Sequence, residues 1–242
     1  EPDHAGSVAA VVKAAPQVTI VTSKKVQATL NAYQDTEGWN WQIVGTGDTL
    51  SLGGTTLSFL ETPMVHWPDS MMTYIPEQQI LFSMDAFGQH YASTGRFDDE
   101  VDLNEVMFEA KTYYANIIMW AGKPIQRTLE AASQLDIKML ATAHGVIWRS
   151  HITEIIAAYK RWVVCCPEVK VLVAYDSMWE STAMMAEAIV DGVMESGVPA
   201  KLYSLRAGNI TGFATEVLDS ACIAMGSSTL NSYMLPKVAE AL

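Results

Sequence analysis

The start of this sequence places three potential metal ligands within four residues: Glu1, Asp3 and His4. Carboxylate and imidazole groups are common ligands of transition metals, and the balance between them influences which metal a site prefers. Three such groups so close together suit a metal-binding loop. A metal site must also draw ligands from elsewhere in the chain.

Three later residues are candidates for the remaining ligands. His66 and His144 stand beside Pro or Gly where apolar runs enter loops, and Asp85 follows an apolar run. A buried carboxylate is costly unless it is ion-paired, hydrogen-bonded or metal-bound. A lone histidine at a strand end is more often structural, and Asp85 alone could cap a turn. The residues by themselves leave a metal site and separate structural roles equally open.

In their order along the chain, these residues resemble the metallo-β-lactamase superfamily, whose usual motif is His-x-His-x-Asp-His. Glu1 stands where that motif has its second His, and this variant resembles the flavodiiron proteins, or A-type flavoproteins. Segments 62–71, 81–90 and 143–149 are similar to that family's stretches around its second His, bridging Asp and last His. All-imidazole sites suit zinc, whereas carboxylate-rich sites with His suit iron or manganese.

The resemblance implies a centre of two iron ions with no catalytic residues beyond its ligands. One iron would be bound by Glu1 and His66, and the other by Asp3, His4 and His144, with Asp85 as the bridge. The motif's first His would lie two positions before Glu1. We therefore expect a chain truncated at both ends that binds iron incompletely by itself.

A second candidate site follows the apolar strand 171–175. The loop after it is rich in hydroxyl groups and leads into a helix, an arrangement that binds anions through backbone N–H groups and the helix dipole. An ordinary helix cap with spare hydroxyls would give the same pattern. A second loop, 226–231, follows another apolar strand, where doubly wound sheets bind ligands.

Both loops resemble those that bind FMN in flavodoxins and flavodiiron proteins. Glu180 departs from the flavodoxin pattern, which usually has Gly at this position. The residues that the resemblance implies for FMN binding are Ser177, Met178, Trp179, Glu180, Ser181, Thr182, Gly226, Ser227, Ser228, Thr229, Leu230 and Asn231.

Composition limits the classes of protein that these motifs could serve. Half of the 242 residues are hydrophobic and 17% are charged, which excludes a disordered chain. The net charge of −12 argues against nucleic acid as a partner. No apolar run reaches the roughly 18 residues needed to cross a bilayer. Three cysteines without a disulfide pattern favour a reducing compartment, and we expect a cytoplasmic protein.

The order of predicted elements changes near Pro167. Before it, strands are followed by helices, as in α+β proteins; after it, strands and helices alternate, which predicts a parallel sheet. We therefore predict domains 1–167 and 168–242. The resemblance implies a metallo-β-lactamase-like αββα domain followed by an incomplete α/β flavodoxin-like doubly wound sheet.

Four further features have simpler interpretations. We predict that the acidic run 98–109 serves the dipole of the helix it leads, and that His151 begins a helix. His90 is expected to be structural or to lie behind the metal ligands. Tyr113 could line a substrate pocket, although core packing is the favoured role.

The function implied is an oxidoreductase in which FMN passes electrons to the diiron centre, which reduces dioxygen to water or nitric oxide to nitrous oxide. The family resemblance also implies a head-to-tail homodimer and an electron donor such as rubredoxin or a flavin reductase. Two alternatives stay open. One is a zinc hydrolase of the same superfamily, and the other is a flavodoxin-type electron carrier with an inert metal domain.

Overall fold

The chain divides into two compact units in a computed structural model that describes residues 1–242. The first unit comprises Glu1–Tyr113 and Trp120–Ala157, and the second comprises Tyr114–Met119 and Ala158–Leu242. The division falls inside a helix, Ile152–Val163, rather than near residue 167. The reason is that the second half of this helix carries aromatic side chains that pack within the second unit.

The first unit combines two sheets with helices. Its helices are α1 (Pro2–Ala5), α2 (Val8–Ala14), α3 (Lys24–Tyr33), α4 (Leu103–Tyr113), α5 (Gly122–Ala132) and the first half of α6 (Ile152–Val163). Its strands are β1 (Thr19–Thr22), β2 (Asn40–Ile43), β3 (Thr49–Ser51), β4 (Thr56–Glu61), β5 (Met71–Ile75), β6 (Ile80–Met84) and β7 (Met139–Thr142).

The larger sheet of the first unit has the strand order β3-β4-β5-β6-β7. Strands β3 to β6 pair antiparallel, whereas β6 and β7 are parallel, with Leu81 opposite Leu140. Because β5 runs against β6, the start of β5 lies at the same edge as the ends of β6 and β7. Three loops therefore meet at one edge of the sheet. Strands β1 and β2 form a separate parallel pair.

Asp98 and Asp102 of the acidic run both cap the N-terminus of a helix, but only Asp102 caps the helix that the run leads, as predicted. Asp102 Oδ1 accepts from the backbone N–H of Asn104 at the start of α4, as expected. The prediction is wrong for Asp98, which is 1% exposed and accepts from the backbone N–H groups of Arg149, Ser150 and His151. It caps the start of α6, which begins after His151 as predicted.

The second unit is built on three parallel strands. Strands β8 (Glu168–Asp176), β9 (Ala200–Ser204) and β10 (Ser220–Ser227) are ordered β10-β8-β9. The helices are α7 (Ser181–Glu195), α8 (Ile210–Val217) and α9 (Pro236–Ala241). The sequence analysis missed α8, whose cap is Asn209: its side chain accepts from the Gly212 N–H at 2.7 Å.

Two clusters of apolar side chains form the interior of the second unit. Around β8 the buried cluster comprises Leu172, Ala174, Leu205, Phe213, Leu235 and Val238. In the other cluster, the ring of Tyr114 lies 5.0 Å from that of Tyr159 and 5.2 Å from that of Trp162. Burial raises the pKa of Tyr114 to about 12, with a smaller contribution from Cys165. This aromatic cluster is what assigns the end of α6 to the second unit.

A partly buried ion cluster ties β8 and β9 to the end of α8 and to Asp219, which follows it. Lys170 Nζ lies 3.1 Å from a Glu216 carboxylate oxygen and also pairs with Asp219, while Lys201 lies 2.7 Å from Glu216. Burial by itself would lower the pKa of Lys170, but its two ion pairs outweigh burial and raise it. Burial would raise the pKa of Glu216, but hydrogen bonds from the two lysines outweigh burial and lower it.

These opposite shifts define a window of stabilisation. A lowered carboxyl pKa stabilises the fold above its ordinary value of 4.5, and the gain is lost as pH falls through the lower folded value. A raised lysine pKa stabilises the fold below its ordinary value of 10.5, and the gain is lost as pH rises through the higher folded value. The cluster therefore stabilises the second unit throughout the neutral range.

We predict that Lys170→Met lowers the free energy of unfolding at neutral pH by about 2 kcal/mol, because two partly buried carboxylates lose a common donor. Urea denaturation of the whole chain measures the change. Lys237→Met is the matched control, since Lys237 pairs with Glu240 in an exposed ion pair and its loss should leave the midpoint unchanged. Equal effects of the two substitutions would contradict the role given to Lys170.

Candidate functional site

The six residues predicted as metal ligands meet at the loop-bearing edge of the larger sheet. Asp85 Oδ1 lies 3.2 Å from His4 Nε2 and 3.3 Å from His144 Nε2. Asp3 Oδ2 lies 3.5 and 3.3 Å from the same two nitrogens, which are themselves 3.3 Å apart. His66 Nε2 lies 3.3 Å from Glu1 Oε2. Side chains as distant in the sequence as those of Asp3 and His144 therefore share one small volume.

The donor atoms form two overlapping groups. The ligand atoms of Asp3, His4 and His144 lie within 4.8 Å of one another, and so do those of Glu1, His4 and Asp85. The side chain of Asp85 is 5% exposed, whereas that of Asp3 is 48% exposed. The site thus has a buried carboxylate near its centre and a more open carboxylate at its rim.

Strand order explains why distant residues converge. Asp85 follows β6 and His144 follows β7, and the carboxyl ends of two parallel neighbours lie at the same edge. The loop 62–70 between β4 and β5 brings His66 to this edge. It is closed by the Thr62 N–H donating to the Ser70 carbonyl at 2.9 Å. The single turn of α1 places Glu1 and His4 on one side, three residues apart.

The backbone beside Asp85 is conformationally unusual. Met84 has φ +57° and Phe87 has φ +68°, in the left-handed region that non-glycine residues seldom adopt. The Ala143 N–H donates to the Met84 carbonyl at 2.8 Å, which joins the two loops. Such strained residues persist when surrounding contacts fix them, and they concentrate at functional sites.

Gln89 is a positioning residue that the sequence analysis missed. Its fully buried side chain accepts from the Val146 N–H at 2.7 Å and donates to the Phe87 carbonyl at 2.9 Å. It thereby ties the Asp85 loop to the His144 loop. Gly145 is required here, because it has φ +81° and a Cβ atom would lie 2.7 Å from the Gln89 carbonyl oxygen. A glutamine between two loops gives no sequence signal without knowledge of which loops meet.

Tyr113 contacts the site, contrary to the core-packing role favoured from the sequence. It is 3% exposed, and its hydroxyl donates to Asp85 Oδ1 at 3.1 Å. His90 lies behind the ligands, as expected, with its ring centroid 4.8 Å from that of Tyr113 and 5.8 Å from that of His144. These rings limit the orientations available to His144.

The geometry of the six donors fits bound metal. Two ligand atoms about 2.1 Å from one ion, with bonds at right angles, lie about 3 Å apart. The separations of 3.2 to 3.5 Å between donor atoms are close to that spacing. Three carboxylates and three imidazoles form the set, a composition that suits iron or manganese better than an all-imidazole set.

The two hydroxyl-rich loops of the second unit also meet. Ser228 Oγ lies 3.0 Å from Thr182 Oγ1 and accepts from the Met178 N–H at 3.2 Å. Ser177 Oγ is buried and has no hydrogen-bond partner. Glu180 has φ +66°, which explains why glycine would be favoured there.

The remaining residues predicted for FMN binding are distributed around these loops. Gly226 and Ser227 end β10, and Ser227 Oγ accepts from the Leu235 N–H. Several others are exposed at the surface: Trp179, Glu180, Ser181, Thr229, Leu230 and Asn231. The structure therefore brings part of the predicted set together and leaves the rest at the rim.

No helix is both long enough and apolar enough to cross a membrane.

Comparison with known proteins identifies relatives of both units. A family model described as "ODP family beta lactamase" matches residues 1–145. A nitric oxide reductase of Moorella thermoacetica is 41% identical over all of this chain, which spans 61% of that relative.

Two solved structures are similar over most of the chain. The flavodiiron protein of Giardia intestinalis is 42% identical, with a TM-score of 0.90 over 92% of this chain and 55% of its own. The rubredoxin oxygen:oxidoreductase of Desulfovibrio gigas is 33% identical, with a TM-score of 0.93 over all of this chain and 61% of its own. The chain thus spans about three fifths of the length of these relatives. Its first unit has the metallo-β-lactamase-like α+β fold, and the chain belongs to the ODP family beta lactamases.

Proposed function

We propose that this chain contributes a non-haem diiron centre to an enzyme that reduces dioxygen to water, nitric oxide to nitrous oxide, or both. The convergence of six donor side chains on one volume is the observation that carries this proposal. The relatives' names support it, because they include a nitric oxide reductase and a rubredoxin oxygen:oxidoreductase.

The contacts support a division of the donors between two ions. Glu1 and His66 are a contacting pair, whereas the ligand atoms of Asp3, His4 and His144 lie 3.3 to 3.5 Å from one another. Asp85 is the proposed bridge, since its ligand atom lies close to those of both Glu1 and His4. Bound iron would hold and polarise the diatomic substrate and pass electrons to it.

The side chains around the ligands have roles that follow from their contacts. The Tyr113 hydroxyl donates to Asp85 Oδ1 and so fixes the orientation of the proposed bridge. Gln89 keeps the Asp85 and His144 loops in register. Such fixed partners hold ligands in place and commonly influence metal affinity.

A zinc hydrolase is the less well supported alternative. Glu1 takes the place of an imidazole and contacts His66, so the site carries three carboxylates. The added negative charge stabilises ferric iron relative to ferrous iron, whereas zinc has no redox chemistry. The two loops in the second unit also have no role in a hydrolase.

We further propose that the second unit is the start of a flavodoxin-like domain that binds FMN. Its sheet has the order β9-β8-β10, which is the 2-1-3 start of the flavodoxin-like strand order. The loop before α7 offers backbone N–H groups at a helix start, which suits a phosphate group. The partnerless Ser177 hydroxyl is a donor that phosphate could satisfy. Bound FMN would supply electrons for the reduction.

The remaining parts of the proposal concern partners and location. The resemblance to flavodiiron proteins supports a head-to-tail homodimer and an electron donor such as rubredoxin or a flavin reductase. Three exposed free cysteines are compatible with a reducing compartment, and we propose the cytoplasm.

We predict that His144→Ala lowers the iron bound per chain at least about twofold relative to the unchanged protein, because one group loses a ligand. Elemental analysis after anaerobic loading with ferrous iron measures this. His151→Ala is the matched control, since His151 pairs with Glu154 outside the cluster and its loss should leave iron content unchanged. Full iron content in His144→Ala would contradict the assignment.

We also predict that Ser177→Ala weakens FMN binding about tenfold, because phosphate loses one hydroxyl donor. Without FMN, the substitution should leave stability unchanged or raise it, since it removes a buried hydroxyl that has no partner. Fluorescence titration with FMN and urea denaturation measure the two effects.

Ser196→Ala is the control for the flavin site. Ser196 is exposed and its hydroxyl donates to the Val193 carbonyl at the far end of α7. It should leave FMN affinity unchanged. Unchanged FMN affinity in Ser177→Ala would remove Ser177 from the proposed phosphate site.

A further inference from the structure

A cavity of about 290 Å³ in the first unit opens beside the proposed metal ligands. Glu1, His4 and Asp85 form part of its wall. Much of the remaining wall is apolar and includes Val8, Ile20, Val21, Val26 and Leu30. A largely apolar chamber next to the donors would admit a small uncharged diatomic molecule.

Asp69 is the unexpected residue in this wall. It is only 7% exposed and lines the cavity, yet its carboxylate forms no hydrogen bond or ion pair with another residue. The backbone that carries it is held in place, because the Ser70 N–H donates to the Trp67 carbonyl and Ser70 Oγ accepts from the Trp67 N–H. The carboxylate oxygens are thus held by no other residue, and the cavity that Asp69 lines is where they can meet a bound molecule.

The cavity contains few other titratable groups. Tyr33 lines it too, and 43% of Tyr33 is exposed, so this residue reaches from the cavity towards solvent. Burial raises the pKa of Tyr33, and the negative charge of Asp69 raises it further. The other titratable groups in the wall are the proposed ligands Glu1, His4 and Asp85. Asp69 is therefore the one carboxylic acid in the cavity wall that is not a proposed metal ligand.

The proposed reaction consumes protons in this chamber. Reduction of one dioxygen to two waters takes up four electrons and four protons, and reduction of two nitric oxides to nitrous oxide and water takes up two of each. Electrons would come from the enzyme's donor. Protons must reach the substrate from solvent, and a carboxyl group in the cavity wall can act there as a general acid.

We propose that Asp69 is the residue that delivers protons to substrate in this cavity, an inference that rests on the proposed function. In its acid form the carboxyl group gives its proton to a reduced substrate oxygen, and the O–H bond of the acid breaks as the new O–H bond forms. The resulting carboxylate takes up a proton from water at the Tyr33 side of the cavity. Each cycle thus restores the acid and transfers one proton.

The test compares Asp69→Asn, Asp69→Glu and the control Glu37→Gln in the protein as its gene encodes it. Glu37 is an exposed carboxylate outside the cavity wall. Three quantities are measured for each: iron content, anaerobic nitric oxide consumption with NADH, a flavin reductase and FMN, and the pKa of Tyr33. The last comes from NMR titration with carbon-13-labelled tyrosine, assigned with Tyr33→Phe.

We expect Asp69→Asn to keep its iron and lower kcat about a hundredfold with little change in KM, the lower end of general acid catalysis. The Tyr33 pKa should fall, because the negative neighbour is gone. Asp69→Glu should recover kcat to within about threefold of the unchanged protein, and Glu37→Gln should match that protein throughout.

Each other result has a distinct meaning. Normal kcat in Asp69→Asn overturns the proton-delivery role, and so does loss of iron in that variant, which would make Asp69 a structural or ligand residue. An unchanged Tyr33 pKa overturns the placement of Asp69 beside Tyr33. Failure of the unchanged, iron-loaded protein to consume nitric oxide or dioxygen overturns the proposed function itself. In that case the Tyr33 pKa still tests, independently of activity, whether Asp69 lies beside Tyr33.

Discussion

One buried carboxylate organises the functional edge of the first unit. Asp85 Oδ1 contacts two imidazole nitrogens, those of His4 and His144, and also accepts from Tyr113. A carboxylate this deeply buried is stable only when polar partners or a metal satisfy it. Here the partners come from the chain start, from the loop after β7 and from α4, so a single oxygen atom links three distant parts of the sequence.

That convergence depends on how the sheet is ordered. The parallel pairing of β6 and β7 puts the loops that follow them side by side. The antiparallel pairing of β5 with β6 brings the loop that carries His66 to the same edge. Gln89 then links two of these loops through buried hydrogen bonds. Because the ligands belong to different loops, any change in strand order would separate them.

The two proposed sites differ in the chemical groups that would hold a charged ligand. In the first unit, charged side chains face one another, and bound cations would relieve the cost. In the second unit, the loops between β8 and α7 and after β10 carry hydroxyls and backbone N–H groups rather than cations. The buried Ser177 hydroxyl, which has no partner, and the Asp69 carboxylate, which lines a cavity, are the two polar groups for which we propose roles beyond folding.

The sequence by itself determined most strands and helices, the six residues proposed as metal ligands and the change of pattern in the second half. Those depend on local periodicity, capping residues such as Ser23 and short motifs, all of which act over a few positions. Tertiary structure decided what depends on distance in space. In the folded chain Asp98 caps the start of α6, and the Tyr113 hydroxyl donates to Asp85. Gln89 lies between two loops, and Asp69 lines a cavity. The role of a polar side chain is set by the partner it meets, and strand order, not local sequence, chooses that partner.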